Sequence, residues 1–91
     1  MKDKKQYSVQ YFEEIVDKSG SIVNDGFSCI EFENIGSVNA RIGNVPLPAN
    51  SFPRAYNNLP NVEINTQFIL SFDKTGIDKK VLIKKTYYNE L

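Results

Sequence analysis

A few residues in this chain have the types and spacing that chemistry uses. Glu31 and Glu33 stand two residues apart in the run Phe27-Ser-Cys-Ile-Glu-Phe-Glu33. On an extended strand they share a face about 7 Å apart, a separation that suits a glycosidase pair. A solvent-facing strand carries the same pattern far more often, so a scaffold face is the stronger reading. Glu13 and Glu14 form a second acidic pair. Cys29 is the single cysteine, and within a strand pattern a lone thiol is usually inert. Asp73-Lys-Thr-Gly-Ile-Asp78 sets two acids around a glycine. It lacks the alternating oxygen ligands and final Glu of a calcium loop, and reads as a turn.

The missing residue types narrow the chemistry further. The chain has no histidine, which removes Ser-His-Asp and Cys-His catalysis and leaves no ligand set for zinc. Gly36 and Gly43 are not followed by helical patterns, so no phosphate-binding loop is expected. The expectation is a protein that is not an enzyme, with no cofactor and no metal. Chemistry that needs no active site, namely binding, then moves to the front.

The bulk composition bounds what could bind. Ninety-one residues allow one domain with a limited core, so partners or oligomerisation are plausible added sources of stability. Eleven basic and 11 acidic residues cancel, which argues against a dedicated nucleic-acid binder. The charges are asymmetric. Glu13, Glu14, Asp17, Asp25, Glu31 and Glu33 make the first third acidic, whereas Lys74, Lys79, Lys80, Lys84 and Lys85 make the end basic. Such asymmetry can pair strands within one chain or match subunits; solvated strand faces are the plainer account. One cysteine excludes an internal disulfide. The start, MKDKKQYSVQ, has no apolar run behind its charges, so no secretion signal is expected. No stretch approaches the length of a membrane span.

The elements that would position these residues read as strands. Residues 1–6 form a polar arm, and residues 7–91 a single domain. Residues 7–16 fit both a period of two and a helical stripe, with the β-rich context favouring a strand. Residues 17–21 are a turn by composition, and Ile22-Val23 is a candidate short strand. Residues 26–52 hold the clearest pattern. Ile30 and Phe32 face one way, with Cys29, Glu31 and Glu33 facing the other. After a turn at Gly36, Ala40 and Ile42 share a face, giving a hairpin-like unit. Gly43-Asn44 turns again, and Pro46 and Pro48 confine the exit to a sheet edge or a crossing between sheets.

Residues 49–61 read as a functional loop carrying Phe52, Arg54 and Tyr56, since Arg and Tyr favour interface centres. A loop folding its own aromatics onto the core is the competing account. Residues 62–72 alternate best of all and are expected as a strand. Residues 80–88 close the domain, with apolar residues on both faces, so a second body is expected to cover the outer one. The fold class is all-β: a small antiparallel β-sandwich or barrel of about six strands, with little or no helix.

The order of these motifs resembles small β-sandwich proteins of tailed-phage virions and prophages. In such proteins a strand ending in Asn-x-Gly leads to a short strand, an apolar-Pro exit, a loop, a Thr-x-aromatic strand and a basic, Tyr-containing end. Here those are Asn34-Ile-Gly36, Ala40-Arg-Ile42, Leu47-Pro48, Thr66-Gln-Phe68 and Lys85-Thr-Tyr87. Ala49-Asn50 stands where a Gly would suit the turn, and Asn tolerates left-handed backbone. The resemblance implies a structural virion component, made in the host cytoplasm and repeated around a capsid, connector or tail. The expected partners are further copies or other virion proteins, met through strand edges and the 49–61 loop. Phe52, Arg54, Tyr56, Tyr87 and Tyr88 are the candidate interface. Two alternatives stay open. One is a carbohydrate-binding module with Tyr56, Tyr87 and Tyr88 as stacking platforms and Asn57, Asn58 and Asn61 as hydrogen-bond partners. The other is an OB-like single-stranded nucleic-acid binder using aromatics among Lys80, Lys84 and Lys85.

Overall fold

Side chains that alternate between core and solvent lie on pleated strands. In a computed structural model describing residues 5–73 and 77–91, the strands are β1 (Tyr7–Val16), β2 (Gly20–Ser21), β3 (Cys29–Asn34), β4 (Ala40–Ile42), β5 (Val45–Leu47), β6 (Arg54–Asn57), β7 (Ile69–Phe72) and β8 (Val81–Glu90). No helix occurs among the described residues. Residues 1–4 of the expected arm, and most of the turn read at 73–76, lie outside them. The all-β class holds. The strands number eight, not about six, because β2 and β6 arise within stretches read as turn and loop.

The strands form two antiparallel four-stranded sheets, ordered β1-β8-β3-β6 and β2-β7-β4-β5. The ambiguous element at residues 7–16 is a strand throughout. It pairs with β8 in unbroken register from Tyr7 opposite Glu90 to Val16 opposite Val81. Ile30 and Phe32 of β3 and Val81 and Ile83 of β8 face inward. They meet Ala40, Ile42, Leu47 and Leu70 of the other sheet in one buried cluster. Phe27 and Phe68 complete it with ring centroids 6.4 Å apart. Burying each large apolar side chain contributes about 1.5–3 kcal/mol. The molecule is elongated, 56 × 19 × 19 Å, because β1 and β8 outrun their neighbours. β3 pairs with β8 only as far as Thr86, while β1 continues beside it to Glu90.

Four expectations are corrected. Residues 26–52 supply core residues as expected, but β3 and β4 are not a hairpin; they belong to different sheets. The chain crosses between layers at Asn34-Ile-Gly36, and the hairpin is β4–β5, closed by Gly43-Asn44. Gly43 has φ 58. Positive φ at the first central residue and not the second is the type II′ signature. The 62–72 strand is real only over Ile69–Phe72. Residues 62–68 cross between sheets, with Ile64 donating its N–H to Phe27 O (2.9 Å) and Asn24 Nδ2 donating to Thr66 O (2.9 Å). Their alternation met no ladder, since β3 is already flanked by β8 and β6. The 49–61 loop contains β6, an edge strand on β3. The short strand expected at Ile22-Val23 sits one turn earlier, at Gly20–Ser21; Ile22 extends the pairing through its N–H to Phe68 O (2.9 Å) while Val23 stays exposed. Asn50 adopts φ 63, the left-handed turn expected of it.

Asn34 is the corner post of the sandwich. It is 4% exposed, and its side chain donates to Val38 O (2.8 Å) and Leu47 O (3.0 Å) while accepting from Gly36 N (3.0 Å). One side chain therefore ties the end of β3 to β5 across the layers. Gly36 is required by close approach. A Cβ there would collide with the Asp78 carbonyl oxygen and come within 2.8 Å of Lys80 N.

Candidate functional site

Where the open backbone groups lie follows from the alternation of an antiparallel ladder. Leu91 N donates to Gln6 O (2.9 Å) and Ile35 N to Lys80 O (3.0 Å). Even-numbered residues of β1 therefore point their N–H and C=O groups at β8. Tyr7, Val9, Tyr11, Glu13 and Ile15 point theirs out from the sheet edge, and no backbone bond among the described residues uses them. On β6, Asn58 N donates to Ser28 O (2.8 Å), so Ala55 and Asn57 face out, in phase with Pro53. On β5, Gly43 N bonds Ile69 O (2.8 Å), which turns Ala40 and Ile42 toward β5 and Pro46 outward. Prolines thus occupy outward positions at or beside both of these edges, where a missing N–H costs the fold nothing.

The candidate interface residues separate in space. Phe52 is 93% exposed. It stands with Arg54 over a groove of about 440 Å³ lined also by Pro46, Leu47, Pro48 and Pro53. The prolines that bound residues 49–61 therefore frame this surface. Tyr56, on the inner face of β6, is half-buried. Its ring centroid lies 5.0 Å from that of Phe68 and 6.2 Å from that of Phe32, so the ring packs against the core. Tyr88 stands edge-on to Tyr7 at 6.1 Å on the outer face of the β1–β8 ribbon. Tyr87 lies on the opposite face of that ribbon. The three tyrosines do not make one platform, since Tyr88 lies on the face opposite Tyr56 and Tyr87.

Tyr87 belongs instead to a charged cluster that parity places indoors. Lys85 shares its strand face with Val81, Ile83 and Tyr87 and is only 4% exposed. Its ammonium lies 3.6 Å from Asp25 Oδ2, 3.5 Å from Val23 O and 5.3 Å from the Phe27 ring centroid, the last a cation–π contact. Tyr87 donates its hydroxyl to Asp25 Oδ1 at 2.8 Å. Burial first, then the hydrogen bond to Asp25 and the charges of Asp25 and Glu14, push the Tyr87 phenol up to about 12. Sequence reasoning grouped Lys85 with a basic surface. The strict period of β8 was the signal that it faces the core.

Two further lysines at and before β8 are paired at the surface. Lys84 lies between Glu13 and Glu31 in register, 3.8 Å from the Glu31 carboxylate, and Lys80 lies 3.5 Å from Asp78. Such exposed pairs contribute at most about 1 kcal/mol. Glu31 and Glu33 lie on the outer face of the sheet beside half-buried Cys29, as the alternation implied. Among the described residues, no group of three or more His, Cys, Asp and Glu side chains is placed to hold a metal, and no helix is long and apolar enough to cross a membrane.

A run of apolar side chains left in solvent lies on β1. Tyr11 is 78% exposed, and Val9, Phe12 and Ile15 are exposed beside it. Phe12 and Tyr11 line a second groove of about 460 Å³ with Gln10, Asp25 and Tyr87. Leu82 of β8 and Ile15 of β1 stand opposite one another on the outer face. Set against family models, curated proteins and solved structures, the chain matches none.

Proposed function

We propose that the chain is a non-enzymatic structural component of an assembly, of the kind found in tailed-phage virions, packing against further copies or other virion proteins through its sheet edges and residues 49–61. The observation that carries this is Phe52. A phenyl ring 93% exposed beside an arginine, on a segment held by Pro48 and Pro53, is a side chain presented to something else. Aromatic and Arg side chains dominate interface energetics, and prolines lower the ordering cost of docking. The virion setting is suggested by the resemblance of the motif order to phage β-sandwich proteins.

Mass spectrometry of density-purified particles from the producing strain tests it. Peptides of this chain are expected in the particles, and Phe52→Ala should reduce incorporation about tenfold or more. Particles that lack the chain would overturn the virion assignment.

A further inference from the structure

We infer that β1 is a self-pairing edge: two copies join β1 to β1 antiparallel about a twofold axis at Tyr11, making one continuous eight-stranded sheet. The inference deepens the assembly reading by naming a surface and its partner.

Three observations carry it. The first is that β1 alone among the four edges is open along its length. β2 has two residues, β5 carries Pro46 in an outward position, and β6 follows Pro53. Of the usual guards of an edge strand, β1 has no Pro, no Lys or Arg and no bulge; its only charges, Glu13 and Glu14, lie in its second half. The second is its apolar dress. Val9, Tyr11 and Ile15 lie exposed on the outer face and Phe12 on the inner face. A paired strand would set its own side chains beside those of both faces, narrowing their exposure from the side.

The third is register. Outward-pointing groups of two antiparallel strands meet only when odd residues face odd residues. Axes at Glu13 or Glu14 would set like charges face to face, which is destabilising. An axis at Tyr11 sets Tyr7 opposite Ile15 and Val9 opposite Glu13, and uses every outward N–H and C=O from Tyr7 to Ile15. Glu14 then faces Ser8. Continued by two positions at each end, the same register places Lys5 opposite Asp17. Asp17 makes no ion pair among the described residues, and Lys5 has only a 3.9 Å contact with Glu90. Phe12 of each copy faces Gln10 of the other, where the second groove lies. A twofold contact is closed, so it yields a dimer and not a fibre.

Light scattering and sedimentation of the whole chain, with amide hydrogen exchange at low and high concentration, test the inference. The expected species has twice the 10.4 kDa chain mass, and exchange at Val9, Tyr11 and Glu13 slows as it forms. Tyr11→Pro removes an N–H that the monomer does not use and should weaken the dimer about a hundredfold. Should that variant misfold, Tyr11→Lys keeps the N–H and sets two ammonium groups at the axis, with the same expected direction. Val9→Lys should tighten the dimer about tenfold by facing Glu13, and Val9→Glu should weaken it about tenfold.

Association unchanged in both Tyr11 variants would overturn the inference, as would the two Val9 variants acting in the same direction. A chain that is monomeric in solution yet present in particles overturns this inference and leaves the assembly reading standing. A β1 dimer absent from particles supports this inference and removes the virion setting.

Discussion

Along one side of the sandwich the sheets end in β5 and β6, strands of three and four residues. Along the other, one sheet ends in β1, a strand of ten. On the short side Pro46 removes the outward N–H of β5 and Pro53 the one just before β6, so only Ala55 and Asn57 keep an outward donor there. On the long side every outward position keeps its N–H. The contrast shows that edge protection is set residue by residue: a proline guards only when the ladder's parity turns it outward. The two sides are also fastened differently. The short side hangs on Asn34, whose bonds are buried and uncharged. The long side leans on the Lys85–Asp25–Tyr87 cluster, whose acid is partly in solvent.

The fastening of the short side gives the largest expected effect. Gly36→Ala would drive a methyl group into the backbone at Asp78 and Lys80. Backbone cannot yield as a flexible side chain does, so a loss of about 3 kcal/mol or more is expected. For a domain of this size that lowers Tm by roughly 12 °C or more. Thermal unfolding followed by circular dichroism measures it. A drop below about 4 °C would mean that the crossing between layers can shift, and that the short side is less firmly held than the long one.

The long side should give a smaller effect with a telling order. Asp25→Asn leaves the Lys85 ammonium buried without its counter-charge, at an expected cost of about 2 kcal/mol. Lys85→Met removes the buried charge and leaves Asp25, 46% exposed at its side chain, to water. That change should cost less than about 1 kcal/mol. Urea unfolding of both variants ranks them. The reverse order would show that the lysine stem and its contact with Phe27, not the ion pair, hold this side.

Much of this was legible in the sequence. The alternation of β3 and β8, the Gly43-Asn44 turn and the edge placement of the Pro46 strand all followed from local rules. Those rules describe one strand and its faces. They do not say which strand lies beside it, so the Asn34-Ile-Gly36 break read as a hairpin turn when it is a crossing between layers. Residues 62–68 show the same gap from the other direction: their alternation is good, but they cross between sheets and make only scattered backbone bonds, not a continuous ladder. Lys85 was hidden by its charge, although its place in the β8 period put it with Val81 and Ile83. The candidate site was half legible. Phe52 and Arg54 are exposed where the prolines implied a working surface, Tyr56 is half-buried against the core, and β1's open edge emerged only once the strand order was known.

The guards themselves can be removed. Pro46→Val restores an outward N–H on β5 without touching a bond the fold uses, so monomer stability should change by less than about 1 kcal/mol. Made together with Tyr11→Lys, which silences β1, it isolates the short side. Light scattering should then show new association absent from Tyr11→Lys alone, about tenfold stronger at matched concentration. No new association would mean that three residues are too short an edge to need a guard, and that length, not proline, separates the two sides.

The smallest effect concerns how the long side responds to pH. The folded protein holds the Tyr87 phenol protonated up to about 12, against about 10 in an unfolded chain. The protonated form is therefore favoured by folding. Its contribution is fully present below about pH 10 and is lost as pH rises through 12. Tyr87→Phe removes the hydrogen bond to Asp25, which should cost about 1 kcal/mol at neutral pH. It also removes the group that titrates. The stability gap between the wild-type chain and Tyr87→Phe should then narrow between about pH 10 and about pH 12, read from urea midpoints across that window. A gap that stays constant would show that Asp25 releases the phenol before it ionises. The cluster would then fasten β8 through Lys85 alone, leaving the inner face of the open side with one anchor.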